Sequence, residues 1–183
     1  MIIISLGPLT DIVNFVKNPL IKKNISEIWI MGGAINVEGN TECPKKNEKA
    51  KFNFLMNPYA ANIVIKSNLP IFLIPLDITN RFPASSKKIY NNNVFNNKTN
   101  FIHKFWASLL DELANDKKNY LWDLITAVIA TDKKLATFKP MSINISSCGK
   151  IISTGGGNTN VYVAEKVKEE KVYKKIINLI LKN

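Results

Sequence analysis

Apolar residues along this chain follow two rhythms. Ile2 to Ser5 and Ile28-Trp29-Ile30-Met31 are short, nearly unbroken apolar runs with β-branched or aromatic side chains on both faces, the pattern of a strand buried between two helical layers. Leu69 to Leu76 is a third run of the same kind. Between the first two, Leu9, Ile12, Val13, Phe15 and Val16 recur at helical spacing, opened at about Pro8 and stopped by Asn18-Pro19, with a second helical piece over 19–23. Strand, helix and strand at this spacing predict a βαβ unit with parallel strands and a right-handed crossover. Asn57-Pro58 opens the next helix, whose stripe is Ala60, Ala61, Ile63 and Val64. Three strands therefore finish near Leu6, Met31 and Leu76 on the same edge of one parallel sheet.

Residues 34–52 show no period and read as a loop, long enough to be functional in a compact domain. Helices are predicted over 84–90 and 100–114, joined by the asparagine-rich stretch Asn91 to Asn100. Tyr120 to Thr131 reads as a buried helix with Asp123 in its first turn, Ser142 to Ser147 as an edge-type strand, and Gly155-Gly156-Gly157 as a turn. Asn160 to Ala164 is a further strand, and Glu169 to Leu181 an amphipathic closing helix. With no repeat or linker in view, the expectation is a single α/β domain over 1–183. Its architecture is an open, mainly parallel Rossmann-like sheet with helices on both faces.

Composition narrows the picture. At 183 residues and 46% hydrophobic content the chain can form a real core. A formal charge of +11 would ordinarily raise nucleic-acid binding, but the lysines are scattered as pairs, arginine is almost absent, and no aromatic residues interleave with a basic stripe. Neither a nucleic acid nor a membrane is an expected partner. Cys43 and Cys148 lie far apart without metal-ligand spacing, so no disulfide framework or zinc site is expected and a reducing compartment is the simple reading. The start MIIISLGPLT lacks the features of a secretory signal, and a cytoplasmic protein is expected.

Chemistry is best sought at the carboxyl ends of the strands, where open α/β sheets bind ligands. Gly32-Gly33 leaves the second strand there, and the following excursion carries the side chains of Asn40 and Asn53. The motifs Leu6-Gly7-Pro8-Leu9-Thr10, Ile30-Met31-Gly32-Gly33, Gly39-Asn40, Phe52-Asn53 with Asn57-Pro58 and Ala60-Ala61, Pro75-Leu76-Asp77-Ile78-Thr79, and Trp122-Asp123 occur in an order that covers nearly the whole chain. In these the sequence resembles the inosine-uridine preferring nucleoside hydrolases.

The resemblance implies hydrolysis of the N-glycosidic bond of ribonucleosides by a Ca²⁺-activated water. It makes the Leu6 carbonyl and Asp123 metal ligands, has Asp123 also touch the ribose, and places Met31, Asn40 and Asn53 around the ribose. Trp122 stands where some family members carry a histidine that protonates the leaving group, and its indole could stack on a nucleobase.

Two departures from the family pattern stand out. The Asp-rich DxDxxxDD segment that supplies the remaining metal carboxylates and the general base is absent, so no catalytic residue is assigned. Lys51 stands where the family usually has a ribose-contacting glutamate. The chain therefore resembles the carboxyl-terminal portion of a family member. It is expected to be inactive without an amino-terminal half, and to pair with a complementary chain or with itself; a non-catalytic, degenerate scaffold is the alternative.

Overall fold

The structure, a computed structural model of the chain, describes residues 1–44, 48–86, 119–153 and 159–181, together with 104–106, 108, 109, 112 and 115. The expected helices over 84–90 and 100–114, the asparagine-rich connection and the Gly155 to Gly157 turn fall wholly or largely outside them. Strand β1 (Ile2–Ser5) leads into α1 (Thr10–Lys17), which begins two residues later than Pro8 predicts, and then into α2 (Pro19–Lys22). Asn18 caps α2, its Oδ1 accepting from the backbone N–H groups of Leu20 and Ile21. Strand β2 (Glu27–Met31) then pairs with β1 in parallel, with Ser5 opposite Ile30.

The segment expected to be a plain loop holds two strands, β3 (Thr41–Glu42) and β4 (Lys49–Ala50), paired as an antiparallel hairpin, and a short helix α3 (Phe52–Leu55). Two-residue strands carry no readable alternation, which is why the sequence conceals them. After α4 (Pro58–Ile65), strand β5 (Ile71–Ile74) adds to β2 in parallel with Met31 opposite Ile74. A single helical turn, α5 (Leu76–Thr79), follows, so Asp77 sits in a helix rather than simply ending a strand.

Helix α6 (Trp122–Thr131) carries Asp123 in its first turn, as the sequence implied. A 3-10 turn (Lys133–Leu135), strands β6 (Ala136–Pro140), β7 (Ile143–Ile145), β8 (Ile151–Ser153) and β9 (Val161–Val167) and helix α7 (Glu169–Leu181) follow. The main sheet has the order β1-β2-β5-β9-β6, parallel except for β6, which runs antiparallel to β9. Two corrections follow. The outer antiparallel strand is Ala136–Pro140, and the Ser142 to Ser147 segment instead forms β7 of a separate two-stranded sheet with β8.

One helical layer packs Leu9, Ile12, Ala61 and Val64 against Ile28, Ile30 and Leu73. The other packs Ile125, Ile129, Val172 and Ile176 against Trp29 and Ile74. Each buried aliphatic side chain contributes about 1.5–3 kcal/mol relative to exposure, which fixes the alternation of β2 between the two layers. The sheet ends abruptly on one side: β1 has no neighbour beyond it among the described residues, and Ile2 and Ile4 are exposed.

The absence of a disulfide is overturned. Cys43, in the β3–β4 hairpin, is bonded to Cys148, in the β7–β8 turn, with Cα atoms 5.6 Å apart across a sequence separation of 105. The spacing carries no disulfide signature because the two segments meet only through tertiary packing. The β7–β8 turn is itself held by Asn62, whose Oδ1 accepts from the Ile145 N–H and whose Nδ2 donates to the Ile145 carbonyl. The reading of a reducing compartment rested on unpaired thiols and loses that support. Replacing both cysteines by serine is expected to lower stability in urea by up to ~4.7 kcal/mol, the chain-entropy value for a loop of roughly 100 residues. Equal urea midpoints for the parent and the double variant, or two free thiols in the non-reduced parent, would contradict the cross-link.

Candidate functional site

The carboxyl rim of the sheet is assembled by one side chain. The Nδ2 of Asn53 donates to the Leu6 carbonyl at 3.0 Å, just past the end of β1, and to the Met31 carbonyl at 2.8 Å, the last residue of β2. Both amide hydrogens are thereby used, and Asn53 is only 4% exposed. Helix α3 can hold Asn53 there because Lys51 ends the extended backbone and its carbonyl accepts from the N–H groups of Phe54 and Leu55. Asn40 supports the same helix: its Oδ1 accepts from the Phe52 N–H at 3.1 Å.

The loop leaving β2 is pinned along its length. A Cβ at Gly32 would collide with the ring of Phe54, and Gly33 has φ +79, a conformation favourable to glycine. The Gly33 carbonyl accepts from Leu76 N–H, while the carboxylate of Asp77 accepts from the N–H groups of Ile35 at 2.9 Å and Asn36 at 2.7 Å. The partners of Asp77 thus lie more than forty residues earlier in the chain.

On the far side of Asn53 lies a charge arrangement that the sequence did not reveal. Lys51 is 5% exposed, with its Nζ 5.0 Å from the centroid of the Trp122 ring. The indole Nε1 of Trp122 donates to Asn80 Oδ1 at 3.0 Å, fixing the ring, and Tyr120 tilts against it with centroids 5.7 Å apart. Burial pushes the Lys51 ammonium below its ordinary pKa, and Asp123 opposes the shift. Burial likewise pushes the Asp123 carboxyl up, opposed by Lys51. Each group therefore feels the other's charge at the start of α6.

Leu6, Met31 and Asn53 are thus joined by hydrogen bonds, and Asp123 reaches the same region through Lys51, two residues from Asn53. Asn40 and Trp122 line a cleft of about 540 Å³ with Asn80 and Tyr120. A neighbouring cleft of about 600 Å³ lies between the hairpin and Gly149–Ile151 and includes Lys51. Leu6, Met31, Asn53 and Asp123 line neither, and Met31 is fully buried with its Sδ beside Asn53 Nδ2. The expected residues share one rim, but the open cleft is bounded by Asn40 and Trp122.

The residues present do not fit a calcium ion. Ca²⁺ takes six to eight oxygens, several from carboxylates, whereas no group of three or more His, Cys, Asp or Glu side chains gathers among the described residues. The Leu6 carbonyl already accepts from Asn53, and no second carboxylate joins Asp123 among the described residues. A divalent and a monovalent cation ~8 Å apart repel by about 4 kcal/mol at an effective dielectric near 20.

An open, mainly parallel α/β sheet with clefts beside the carboxyl ends of its strands places the chain in the Rossmann-like fold class. The profile of the family described as inosine-uridine preferring nucleoside hydrolase matches residues 1–174, and the chain belongs to this family. Nucleoside hydrolase 3 of Arabidopsis thaliana is 29% identical over 161 residues, 70% of this chain and 18% of that protein. The pyrimidine-specific ribonucleoside hydrolase RihA of Salmonella paratyphi C is 30% identical over 126 residues, 68% of this chain and 38% of that protein.

The fold matches the crystal structure of an inosine-uridine preferring nucleoside hydrolase from Bacillus anthracis with a TM-score of 0.82 at 24% identity, over all of this chain and 60% of that one. A purine-preferring ribonucleoside hydrolase from Gardnerella vaginalis gives 0.80 at 22% identity, over all of this chain and 62% of that one. The chain therefore spans well under half the length of these curated relatives and about three fifths of these solved chains.

Two outcomes check the rim. Asn53→Ala is expected to lower unfolding stability by about 1–3 kcal/mol, since it strips a hydrogen bond from two carbonyls that are shielded from water. Asn53→Asp should be worse at neutral pH, because a carboxylate offers those carbonyls no donor; denaturation midpoints equal to the parent's would contradict both. For Asp123 the raised carboxyl pKa means that folding favours the protonated form. That stability is fully present below the ordinary carboxylate value and is lost as pH rises through the raised value. The stability of Asp123→Asn relative to the parent should therefore increase between pH 4 and pH 7, and a difference that does not vary with pH would contradict the raised carboxyl pKa.

Proposed function

We propose that this chain carries the ribose-facing rim of a ribonucleoside hydrolase and that cleavage of the N-glycosidic bond depends on carboxylates from a complementary amino-terminal chain. The observation that carries the reading is the joining of Leu6, Met31 and Asn53 by one amide, with Asp123 nearby, in a chain of this family whose described residues gather no acidic cluster. Water attack on an oxocarbenium-like ribosyl centre needs a carboxylate base, and leaving-group departure needs protonation or stabilisation of the base. Asp123 is a single carboxylate beside an ammonium and cannot fill all of these roles.

Within this reading the ribose hydroxyls meet Asn40 and Asp123, while Met31 and Asn53 hold the floor beneath. The nucleobase lies against Tyr120 and Trp122, whose tilted rings bound the 540 Å³ cleft. The calcium expected from the resemblance finds no donor set among the described residues, and no step is routed through it. The names of the relatives, pyrimidine-specific in one and purine-preferring in another, point to a ribonucleoside as the substrate class. Residues 1–183 would act as one domain.

The open edge of β1, with Ile2 and Ile4 exposed, favours strand addition by a complementary chain or a second copy. No described helix is long and apolar enough to cross a membrane. Lys51 and the missing acidic cluster favour the second reading, a non-catalytic scaffold. In a sensitive assay of inosine and uridine cleavage, the purified 183-residue protein is expected to show no turnover above a protein-free blank, and sedimentation at tens of micromolar should show association. Clear turnover by this chain alone would overturn the need for a complementary chain; a clean monomer would count against the open edge as a pairing surface.

A further inference from the structure

Lys51 is a charged side chain that folding takes almost entirely out of water, at 5% exposure, and its three N–H donors meet no acceptor among the described residues. What lies against the ammonium is the Trp122 ring, its centroid 5.0 Å from Nζ, which steadies a positive charge but gives it no oxygen to bond. A buried charged donor without an acceptor is costly, so the position is completed best by an acceptor from outside the chain. Space for one is at hand. Lys51 lines the cleft of about 600 Å³ between the hairpin and the β7–β8 turn, together with Lys49, Lys150, Glu38 and Glu48. Lys49 and Glu38 pair with each other at 3.1 Å, which leaves Lys51 and Lys150 against Glu48. Asp123 is exposed, lines neither this cleft nor the next and makes no ion pair with Lys51. The cleft adjoins the one bounded by Asn40, Tyr120 and Trp122, since Gly39 and Lys49 border both.

We propose that the cleft beside Lys51 is an oxyanion site for a phosphate group, and that the two joined clefts take a nucleoside monophosphate, its phosphate at Lys51 and Lys150 and its base against Tyr120 and Trp122. A phosphate dianion answers two ammonium groups where a carboxylate answers one, and its oxygens supply the acceptors that the Lys51 Nζ lacks. Removed from water, that ammonium is also less screened by salt than the lysines of the surface. The base end rests on the ribonucleoside reading above, whereas the phosphate end rests on the burial and placement of Lys51. The proposal concerns binding and stands whether or not the chain cleaves an N-glycosidic bond.

The test is isothermal titration of the full 183-residue protein with inorganic phosphate, uridine and uridine 5′-monophosphate, at low and at physiological salt. The nucleotide is expected to bind about tenfold or more tightly than uridine, the scale of one charge-assisted hydrogen bond. Lys51→Met should bring the nucleotide down to the affinity that uridine has for the same variant, while Lys51→Arg should keep the preference. If Lys51→Met does not fold, Lys51→Gln removes the charge with less change in polarity. Lys66→Met removes the same charge beside the cleft of Asn68 and Asn160 and should leave the preference intact, which separates a built site from general attraction to a chain of formal charge +11. Phosphate binding that needs Lys51, with no binding of uridine, would support the oxyanion site and overturn the ribonucleoside reading. Equal affinity for uridine and the nucleotide would overturn the proposal and leave that reading standing. A preference reduced equally by Lys51→Met and Lys66→Met, or no heat with either phosphate or nucleotide, would also overturn it.

Discussion

A parallel sheet leaves the carbonyls at its carboxyl edge without strand partners, and here one primary amide resolves that problem for two strands at once. Asn53 donates one hydrogen to Leu6 and the other to Met31. No other side chain type of this size offers two donors on one nitrogen with an acceptor beside it. The bond pair fixes where β1 and β2 end relative to each other, and where α3 sits above them. Everything placed by α3 inherits that position, including Lys51 at its start and Phe54, whose ring sets the path of the Gly32-Gly33 turn.

The second constraint is electrostatic and works against the first impression of the site. An acidic residue at the start of a helix near a sheet's carboxyl edge invites a cation. In this chain a buried lysine, Lys51, stands over the Trp122 ring two residues before the amide that organises the rim. The hairpin that delivers Lys51 is tied by the Cys43–Cys148 cross-link to the β7–β8 turn, which Asn62 in turn holds against α4. The lysine is thus carried by a segment fixed at both ends, which explains how so large a charged group stays buried.

Much of the sheet was legible because buried parallel strands are written as unbroken apolar runs. Ile28 to Met31 and Ile71 to Ile74 were visible for that reason, as was the helix around Asp123. Strand β6 was missed because Ala136–Pro140 mixes threonine, lysine and proline on an exposed edge, where packing imposes little pattern. The hairpin and the cystine were missed because both depend on contacts between segments distant in sequence. At the site, Asn53 could be nominated from its motif, but its bonding to two strand-end carbonyls could not. The lysine before it could be flagged as unusual, whereas its seat on Trp122 depends on α6 docking beside β2, which no local pattern records.

The central claim is that the Asn53-centred rim, with Asn40, Trp122 and Asp123 around it, is where a ribonucleoside lodges. Titrating uridine or inosine into the ¹⁵N-labelled 183-residue protein and following amide shifts tests this directly. The account predicts progressive shifts at Gly7, Gly32, Asn40, Asn53 and the Trp122 indole N–H, without added calcium. Shifts confined to the cleft lined by Asn68, Asn144 and Asn160 at the opposite end of β5, with the rim unmoved, would contradict it.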